Sequence, residues 1–233
     1  MNKKILIFTA TYNEAENISQ YLNLILNMGK EYDILIVDDN SPDNTWKIVE
    51  EFSLKNKNIY LHIRKKKEGL DSAHKYAFEF AKKENYDYLI TMDADLSHDP
   101  KVIPEFIENL NSYPFVIGSR YIDNGKNKTN FFRFLLSYIG NKFIKFILKV
   151  RCTEFTTSYR GFNLNELKNL ELTDVKAKGY SFFMETIFLI NKKGYLIKEI
   201  PIVFEDRTKG SSKIPKIEIL RTLFNLFLLK FKN

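Results

Sequence analysis

The stretch YLITMDADLSHDP, from Tyr88 to Pro100, changes from apolar to acidic within a few residues. Its first residues are typical of a buried strand. Asp93, Asp95 and Asp99 then follow within seven residues, in a chain whose formal charge is +7. Acidic residues are common in a solvated turn that ends a strand. Two carboxylates one residue apart are also suitable ligands for a divalent cation. The stretch alone leaves both interpretations open.

The sequence before this stretch alternates between two hydrophobic periods. Short β-rich runs are bounded by polar loops, and amphipathic stretches of helical length separate them. The predicted strands are residues 5–8, 34–37, 59–63 and 88–90, and the predicted helices are residues 14–28, 45–54 and 72–83. Repeated β-α-β order with buried strands predicts an α/β fold, a mainly parallel sheet flanked by helices on both faces.

A polar cluster follows three of the predicted strands, at residues 11–14, 38–40 and 93–95. In open parallel sheets, ligands bind beyond the carboxyl ends of the strands. Acidic loops that meet at one edge repel each other unless a cation or basic groups offset their charge. The convergence therefore favours a cation-binding role for Asp93 and Asp95 over a plain solvated turn. Asp99, next to Pro100, is expected to cap the following helix.

Composition restricts the class of protein. The chain has 233 residues, of which 44% are hydrophobic, so a sizeable core is expected. The positive charge favours an anionic partner, and the acidic loops at the ligand edge disfavour nucleic acid. Cys152 is the only cysteine, which excludes an internal disulfide. His62, His74 and His98 lack metal-ligand spacing and are expected to be ordinary surface or loop residues.

The second half is more apolar and basic. Residues 131–150 predict an apolar helix, residues 199–204 a strand, and a last helix begins near residue 216. Charged residues interrupt both apolar helices, so neither is expected to span a membrane, and both are expected to lie in its interface. No signal peptide is apparent. We therefore predict one domain over 1–233, whose second half is a basic and apolar elaboration.

Glycine-rich phosphate loops are missing from the sequence. A nucleotide diphosphate would need a cation, Mg²⁺ or Mn²⁺, and basic side chains. Arg207, Lys209 and Lys213 bracket a glycine-serine loop that suits an anion or is simply solvated. Arg120 and Arg160 suit phosphate or a structural salt bridge equally well. Glu185 lies in an apolar run, where it either points into a cleft or occupies an exposed helix face.

Seven motifs then follow in order with regular spacing. They are TYNEAENI (residues 11–18), VDDNSPDNT (37–45), EGLDSA (68–73), DADLS (93–97), GSRY (118–121), TTSYRGF (156–162) and EIPIVFEDRTKGSSK (199–213). The chain resembles the family 2 glycosyltransferases, and within them the dolichyl- or polyprenyl-phosphate mannosyltransferases, over nearly its whole length. The resemblance implies a GT-A fold, a nucleotide-sugar donor, a divalent metal (Mg²⁺ or Mn²⁺) and inversion at the anomeric carbon.

The resemblance also implies a nucleotide-sugar-binding half at 1–120, an acceptor- and membrane-facing half at 121–233, and roles for individual residues. Donor-binding positions are Ala10, Tyr12, Glu14, Val37, Asp39, Asp93, Ala94, Asp95, Leu96, Ser97, Arg120, Arg207 and Lys213. The metal positions are Asp93, Asp95 and Ser97, and the catalytic positions are Asp95, Arg120, Arg207 and Lys213. The chain departs from the family pattern at Ala10 (usually proline), at Asn40, Asn44 and Asp71 (glycine) and at Phe183 (glutamine). Asparagine tolerates the positive φ that glycine would supply.

The expected activity is transfer of a hexose, mannose from GDP-mannose, onto a polyprenyl or dolichyl phosphate. A lipid phosphate is already ionised, so it can attack the sugar without a strong base; a hydroxyl acceptor would need one, and Glu185 is the candidate. Two alternatives stay open. One is a UDP-sugar donor or a glycan or protein hydroxyl acceptor, and the other is a non-catalytic subunit that binds nucleotide sugar or membrane. The expected location is the cytoplasmic face of a membrane, where the protein binds peripherally or through a small membrane-protein partner.

Overall fold

A computed structural model describes residues 3–29, 32–205 and 217–231. Its centre is a seven-stranded sheet in the order β3-β2-β1-β4-β7-β5-β8, and β6 and β9 pair in a small second sheet. The strands are β1 (Ile5–Thr11), β2 (Asp33–Asp38), β3 (Ile59–Ile63), β4 (Tyr88–Thr91), β5 (Phe115–Ser119), β6 (Lys126–Asn127), β7 (Arg160–Asn163), β8 (Ile197–Pro201) and β9 (Val203–Phe204). The α-helices are α1 (Ala15–Leu26), α2 (Thr45–Lys55), α3 (Leu70–Lys83), α4 (Ile103–Leu110), α5 (Phe131–Leu148), α6 (Ser181–Lys192) and α7 (Ile217–Phe231).

The four predicted N-terminal strands pair in parallel and bring their carboxyl ends to one edge. Successive residues of β1 alternate between the two faces of the sheet. Leu6 and Phe8 belong to the core under α3, α5, α6 and α7. Ile5 and Ile7 belong to the core under α1, α2 and α4. Both faces are therefore buried, which confirms the α/β fold predicted from the β-α-β pattern.

Strand β7 is one of several elements that the sequence analysis did not predict, as are β5 and β6. It runs antiparallel between β4 and β5. Its sequence, RGFN, contains a buried arginine and a glycine, so it lacks the apolar run of the other strands. Gly161 packs tightly against α4: a Cβ there would lie 3.0 Å from Leu110 Cδ1 and 3.1 Å from Phe106 Cδ1, so these side chains would have to shift. The insertion of β7 makes the sheet mixed rather than wholly parallel.

The predicted strand over residues 199–204 is wrong as a single strand. Strand β8 ends at Pro201, and Ile202 donates its backbone N–H to the Ser119 carbonyl at 3.0 Å. Val203 and Phe204 then pair with β6 in the second sheet. The polypeptide changes sheets here, and Phe204 is thereby brought beside His98, with ring centroids 5.6 Å apart.

The two predicted apolar helices correspond to α5 and α7. Leu226 and Leu229 of α7 are buried in the core, whereas many other apolar side chains of both helices are exposed. No helix in the described part of the chain is long and apolar enough to cross a membrane.

The centre of the sheet provides a test of the packing. Phe162 of β7 is 2% exposed and packs edge-on against Phe78 and Phe115, with ring centroids 5.6 and 5.0 Å away. We expect Phe162→Ala to lower the free energy of unfolding by about 3–5 kcal/mol, because it leaves a cavity between packed layers. Phe132→Ala is the control, since Phe132 is 81% exposed. Urea unfolding measures both, and equal small losses would contradict the assigned position of β7.

Candidate active site

Asp38 joins the loops that follow β1 and β2. Its carboxylate is fully buried and accepts hydrogen bonds from Thr11 Oγ1, Ser41 N and Ser41 Oγ, each at 2.7 Å. Glu14, a predicted donor-binding residue, donates its backbone N–H to Thr45 Oγ1 at 2.9 Å. Hydrogen bonds within the protein therefore hold the loops that follow β1 and β2 together at the edge of the sheet.

Asp39 holds the loop that follows β3. The Arg64 guanidinium lies 2.5 Å from Asp39 Oδ1, and the backbone N–H groups of Glu68 and Gly69 donate to the same carboxylate at 3.2 Å. Lys67 on this loop places Nζ 3.8 Å from the ring centroid of Tyr12. The structure thus brings Tyr12 and Asp39 to one end of the edge. Sequence reasoning missed Arg64, for which the only signal was a basic residue directly after a strand.

The asparagines that stand where the family has glycine adopt left-handed backbone, as predicted. Asn40 has φ 53° and Asn44 has φ 62°. At the start of α2, Asp43 Oδ1 accepts from the backbone N–H and the hydroxyl of Thr45, at 3.0 and 2.6 Å. Asp99 caps as expected, because its Oδ1 accepts from Lys101 N at 2.9 Å.

Asp93 and Asp95 differ in exposure. The Asp93 side chain is 41% exposed, whereas Asp95 is 4% exposed. Ser97 donates both its backbone N–H and its hydroxyl to Asp95 Oδ1, at 3.1 and 2.6 Å. Between them Leu96 has φ 64°, a conformation that costs an L-residue energy and that clusters at functional sites. Ser97 was predicted as a metal ligand. In the structure its N–H and hydroxyl contact Asp95, and it therefore orients that carboxylate.

The remaining predicted donor positions lie in or beside these strands. Ala10 and Val37 are register partners in β1 and β2, and Val37 is fully buried. Ala94 is buried as well, at 3% exposure. These three residues therefore shape the edge through their backbone and their size, because their side chains carry no polar group.

His98 lies in the loop after β4, which agrees with the expectation of a loop residue, but it is buried rather than at the surface. Its Nδ1 accepts the backbone N–H of Asp93 at 3.1 Å, so the neutral ring carries its proton on Nε2, which lies 3.2 Å from Thr157 Oγ1. Burial lowers the pKa of His98 despite the nearby carboxylates.

His74 lies in α3 and is buried, so the expectation of a surface or loop residue is wrong for it. Burial together with the charge of Arg160 lowers its pKa to about 3. Its ring packs edge-on against Phe8 and Phe183 in the core.

Arg120 forms a buried ion pair with Glu154, which supports the salt-bridge interpretation. Its Nε and one terminal nitrogen donate to the two Glu154 oxygens at 2.7 and 2.8 Å. Thr156 Oγ1 accepts from the same nitrogen at 2.8 Å. Burial opposes the charge of Glu154, but the guanidinium outweighs it and holds the Glu154 pKa below its ordinary value. Sequence reasoning missed Glu154, because nothing local links it to a residue 34 positions away.

Arg160 is a structural residue. It is 1% exposed, and its three nitrogens donate to the backbone carbonyls of Thr157, Phe183 and Phe155 at 2.8, 3.0 and 3.2 Å. Burial lowers its pKa to about 9. Phe183, where the family has glutamine, packs under the guanidinium at 4.7 Å.

Glu185 is not on an exposed helix face. It is 7% exposed, and its Oε2 accepts the backbone N–H groups of Lys176 and Ala177 at 3.0 and 2.6 Å. Asp71, another departure from the family pattern, accepts from Gly179 N at 3.0 Å. The two carboxylates hold the loop before α6. Glu185 thus orders the backbone of this loop.

A cavity of about 370 Å³ joins the acidic pair to the apolar helices. Its polar end contains Asp93, Asp95 and Arg120, and its apolar end contains side chains of α5 and α7 such as Phe143 and Leu226. Arg133 and Ser137 of α5 also line it, and neither was predicted. They stand four residues apart, so they share one face of the helix. The predicted residues Arg207, Lys209 and Lys213 lie outside the described residues.

The donor set at the polar end fits a hard divalent cation in part. Asp93 and Asp95 provide carboxylate oxygens that line one cavity. Within the described ranges, no cluster of three or more His, Cys, Asp or Glu side chains could hold a metal. The pair is therefore suited to a cation that takes its other ligands from a bound diphosphate and water, as Mg²⁺ usually does.

The Arg120–Glu154 pair predicts a pH dependence of stability. Because the folded pKa of Glu154 is lowered, its contribution is complete above the ordinary value of 4.5 and is lost as the pH falls through the folded value. We expect Glu154→Gln to cost about 3–5 kcal/mol of unfolding free energy at pH 7, since it leaves Arg120 buried and unpaired. The difference in unfolding free energy between Glu154→Gln and wild type should become smaller below pH 4.5. Urea unfolding across pH measures it.

The control is Glu205→Gln, which breaks the exposed Lys128–Glu205 pair, with side chains 57% and 54% exposed. An exposed pair contributes about 0–1 kcal/mol. If both variants lose the same small amount of stability, Glu154 does not carry a buried charge.

Comparison with known proteins gives relatives that align over most of the chain. It is 32% identical over 213 residues to an undecaprenyl-phosphate mannosyltransferase of Micrococcus luteus, covering 91% of this chain and 87% of that protein. It is 30% identical over 227 residues to a polyprenol monophosphomannose synthase of Mycolicibacterium smegmatis, covering 96% and 86%.

Solved structures show the same fold at low identity. A mannosyltransferase from Pyrobaculum calidifontis, in complex with GDP-Man and Mn²⁺, matches 90% of this chain with a TM-score of 0.59 and 18% identity, and this chain spans 59% of its length. A glucosyl-3-phosphoglycerate synthase from Mycobacterium tuberculosis, with Mn²⁺ and UDP, matches 98% of this chain and 80% of its own with a TM-score of 0.70 and 13% identity. The predicted GT-A fold is thereby confirmed.

The family assignment depends on the length of the match as well as on the motifs. The model of Glycosyl transferase family 2 matches residues 6–170, which include strands β1 to β5, β7 and the acidic pair. With the two relatives at about 30% identity, this match shows that the chain is a glycosyltransferase belonging to glycosyl transferase family 2.

Proposed function

We propose that this enzyme transfers mannose from GDP-mannose to a polyprenyl phosphate at a membrane surface. The observation that carries the proposal is the cavity, which joins two metal-suited carboxylates to the apolar faces of α5 and α7. A water-soluble donor and a lipid acceptor would need a cavity that has both a polar end and an apolar end. The names of the two relatives, both mannosyltransferases or synthases of polyprenol-type lipids, support the choice of sugar and acceptor.

The donor binds in the half formed by residues 1–120. Tyr12 and Asp39 stand at the end of the edge where β1 and β2 finish, and they would contact the nucleoside. Asp93 and Asp95 would hold Mg²⁺ or Mn²⁺ together with the diphosphate. The cation supplies charge that stabilises the departing nucleoside diphosphate. Asp95, held by Ser97, has its orientation set before the donor binds.

The acceptor binds in the half formed by residues 121–233. Arg133 lines the same cavity as the acidic pair and suits the phosphate of a lipid. Arg120 also lines it, and its ion pair with Glu154 fixes the position of its guanidinium. The phosphate oxygen attacks C1 of the sugar, the bond from C1 to the diphosphate oxygen breaks, and the nucleoside diphosphate leaves. A phosphate needs no general base, which agrees with the structural use of Glu185.

A stripe of exposed apolar side chains on α5 and α7 would contact the membrane surface. On α5 the stripe repeats at helical spacing, with exposed Phe132, Leu136, Ile139, Phe143 and Phe146. Lys142 and Lys145 are exposed on the same helix, and α7 adds Phe224 and Phe231, which are 65% and 79% exposed. Apolar side chains beside lysines favour a peripheral helix on an anionic bilayer, which supports the proposal that the enzyme works at the cytoplasmic face.

The identities of the donor and the acceptor are tested by measuring formation of the lipid-linked product. Labelled GDP-mannose or UDP-glucose is mixed with polyprenyl phosphate and Mn²⁺, and lipid-linked label is counted. We expect label from GDP-mannose, with at least a roughly 100-fold loss in Asp95→Ala because the charge on the leaving group is no longer balanced. Glu185→Gln should keep most of the activity if its loop remains folded.

Three outcomes would change the proposal. Label from UDP-glucose alone would replace the donor. Transfer to a glycan or peptide hydroxyl but not to lipid would replace the acceptor. Binding of neither nucleotide sugar would favour a non-catalytic subunit.

The membrane surface is tested with vesicles. We expect the double variant Phe132→Ser and Phe146→Ser to reduce binding to anionic vesicles by about tenfold, because two exposed aromatic side chains no longer enter the interface. Cosedimentation with vesicles measures the bound fraction, and neutral vesicles should bind less of the wild type. Leu54→Ser is the matched control, since Leu54 is 83% exposed on α2. Equal binding of both variants would remove this surface from the proposal.

A further inference from the structure

Three consecutive hydroxyl side chains precede β7, at Thr156, Thr157 and Ser158. Each contacts a different group of the site. Thr156 Oγ1 accepts from Arg120 at 2.8 Å and donates to Glu154 Oε1 at 2.9 Å. Thr157 Oγ1 lies 3.2 Å from His98 Nε2. Ser158 Oγ donates to Asp93 Oδ1 at 2.6 Å. We refer to residues 156–158 as the hydroxyl run.

The hydroxyl run is fixed to the strand that ends in the acidic pair. Strands β4 and β7 pair so that Thr91 faces Arg160, and Thr91 Oγ1 donates to the Ser158 carbonyl. The Thr157 carbonyl accepts from Arg160 Nε at 2.8 Å. Thr157 and Ser158 are themselves 5% and 3% exposed. The run is therefore a rigid support, because its backbone and its side chains are both held.

The two carboxylates of the pair are supported differently. Asp95 is buried and is held by Ser97 of its own turn. Asp93 has a 41% exposed side chain, and its support comes from across the sheet. Ser158 contacts its carboxylate, and His98, backed by Thr157, accepts its backbone N–H. A half-exposed carboxylate can turn about its side-chain bonds, so the contact with Ser158 restricts the orientation that a cation would meet.

We propose that Ser158 is a positioning residue for Asp93 and sets the affinity of the acidic pair for its divalent cation. The inference rests on the proposed function, since it assumes that Asp93 is a metal ligand. Groups that hydrogen-bond to a metal ligand commonly change metal affinity by about 10–100-fold when they are removed. Thr157 acts one step further away, through His98 and the backbone of Asp93.

The test is Mn²⁺ binding to the whole protein in the presence of GDP, measured by calorimetry or by the electron paramagnetic resonance of free Mn²⁺. We expect Ser158→Ala to weaken Mn²⁺ binding by about 10–100-fold. Ser158→Thr keeps a hydroxyl and should stay within about threefold of wild type, on the same principle. Binding of GDP without metal should be unchanged in both variants. Ser53→Ala, which removes a hydroxyl bonded to the Glu50 carbonyl on α2, should match wild type.

The outcomes separate the inference from the proposed function. If wild type binds Mn²⁺ with GDP and Ser158→Ala binds it equally well, Ser158 does not position Asp93, and the function stands. If wild type binds no Mn²⁺ with GDP or UDP, the proposed function itself fails. Should Ser158→Ala not fold, Ser158→Cys replaces it, because a thiol is a weak donor in a similar volume. Wild-type Mn²⁺ affinity in a folded Ser158→Cys would also overturn the inference.

Discussion

The charge at the carboxyl edge of the sheet is the constraint on which this structure depends. Four aspartates reach that edge, and each is held by a partner. Asp38 is satisfied by hydroxyl and backbone donors, Asp39 by Arg64, Asp95 by Ser97 and Asp93 by Ser158. Without such donors the carboxylates would repel each other. Because most of these partners lie in loops, the same contacts that relieve the charge also fix the loops at this edge of the sheet.

The antiparallel strand β7 extends this arrangement to the second half of the chain. It places the hydroxyl run beside the end of β4, and it buries Arg160 among carbonyls of the cavity wall. The Arg120–Glu154 pair lies next to it and closes the polar end. Beyond that point α5 and α7 present apolar side chains, so polarity falls along one cavity. This gradient is what a reaction between a nucleotide sugar and a lipid phosphate requires.

Local signals in the sequence were sufficient for much of the fold. Strands β1 to β4 and the intervening helices followed from hydrophobic period, because both faces of a parallel sheet are apolar. Asn40 and Asn44 were predicted to take glycine's place, since their φ preference is a property of the residue itself. Strand β7 could not be predicted from hydrophobic period, because a central strand with Gly161 and a buried arginine has no apolar run.

The sequence by itself determined the family, the parallel half of the sheet and the position of Asp93 and Asp95 at its ligand edge. These depend on local order and periodicity, which a single chain displays. Only the tertiary structure decided which polar groups meet. It paired Arg120 with Glu154, brought His98 next to Thr157 and turned Glu185 towards the backbone of the loop before α6. The physical reason is that the energy of a buried polar group depends on its partner, and these partners come from segments that only folding brings together.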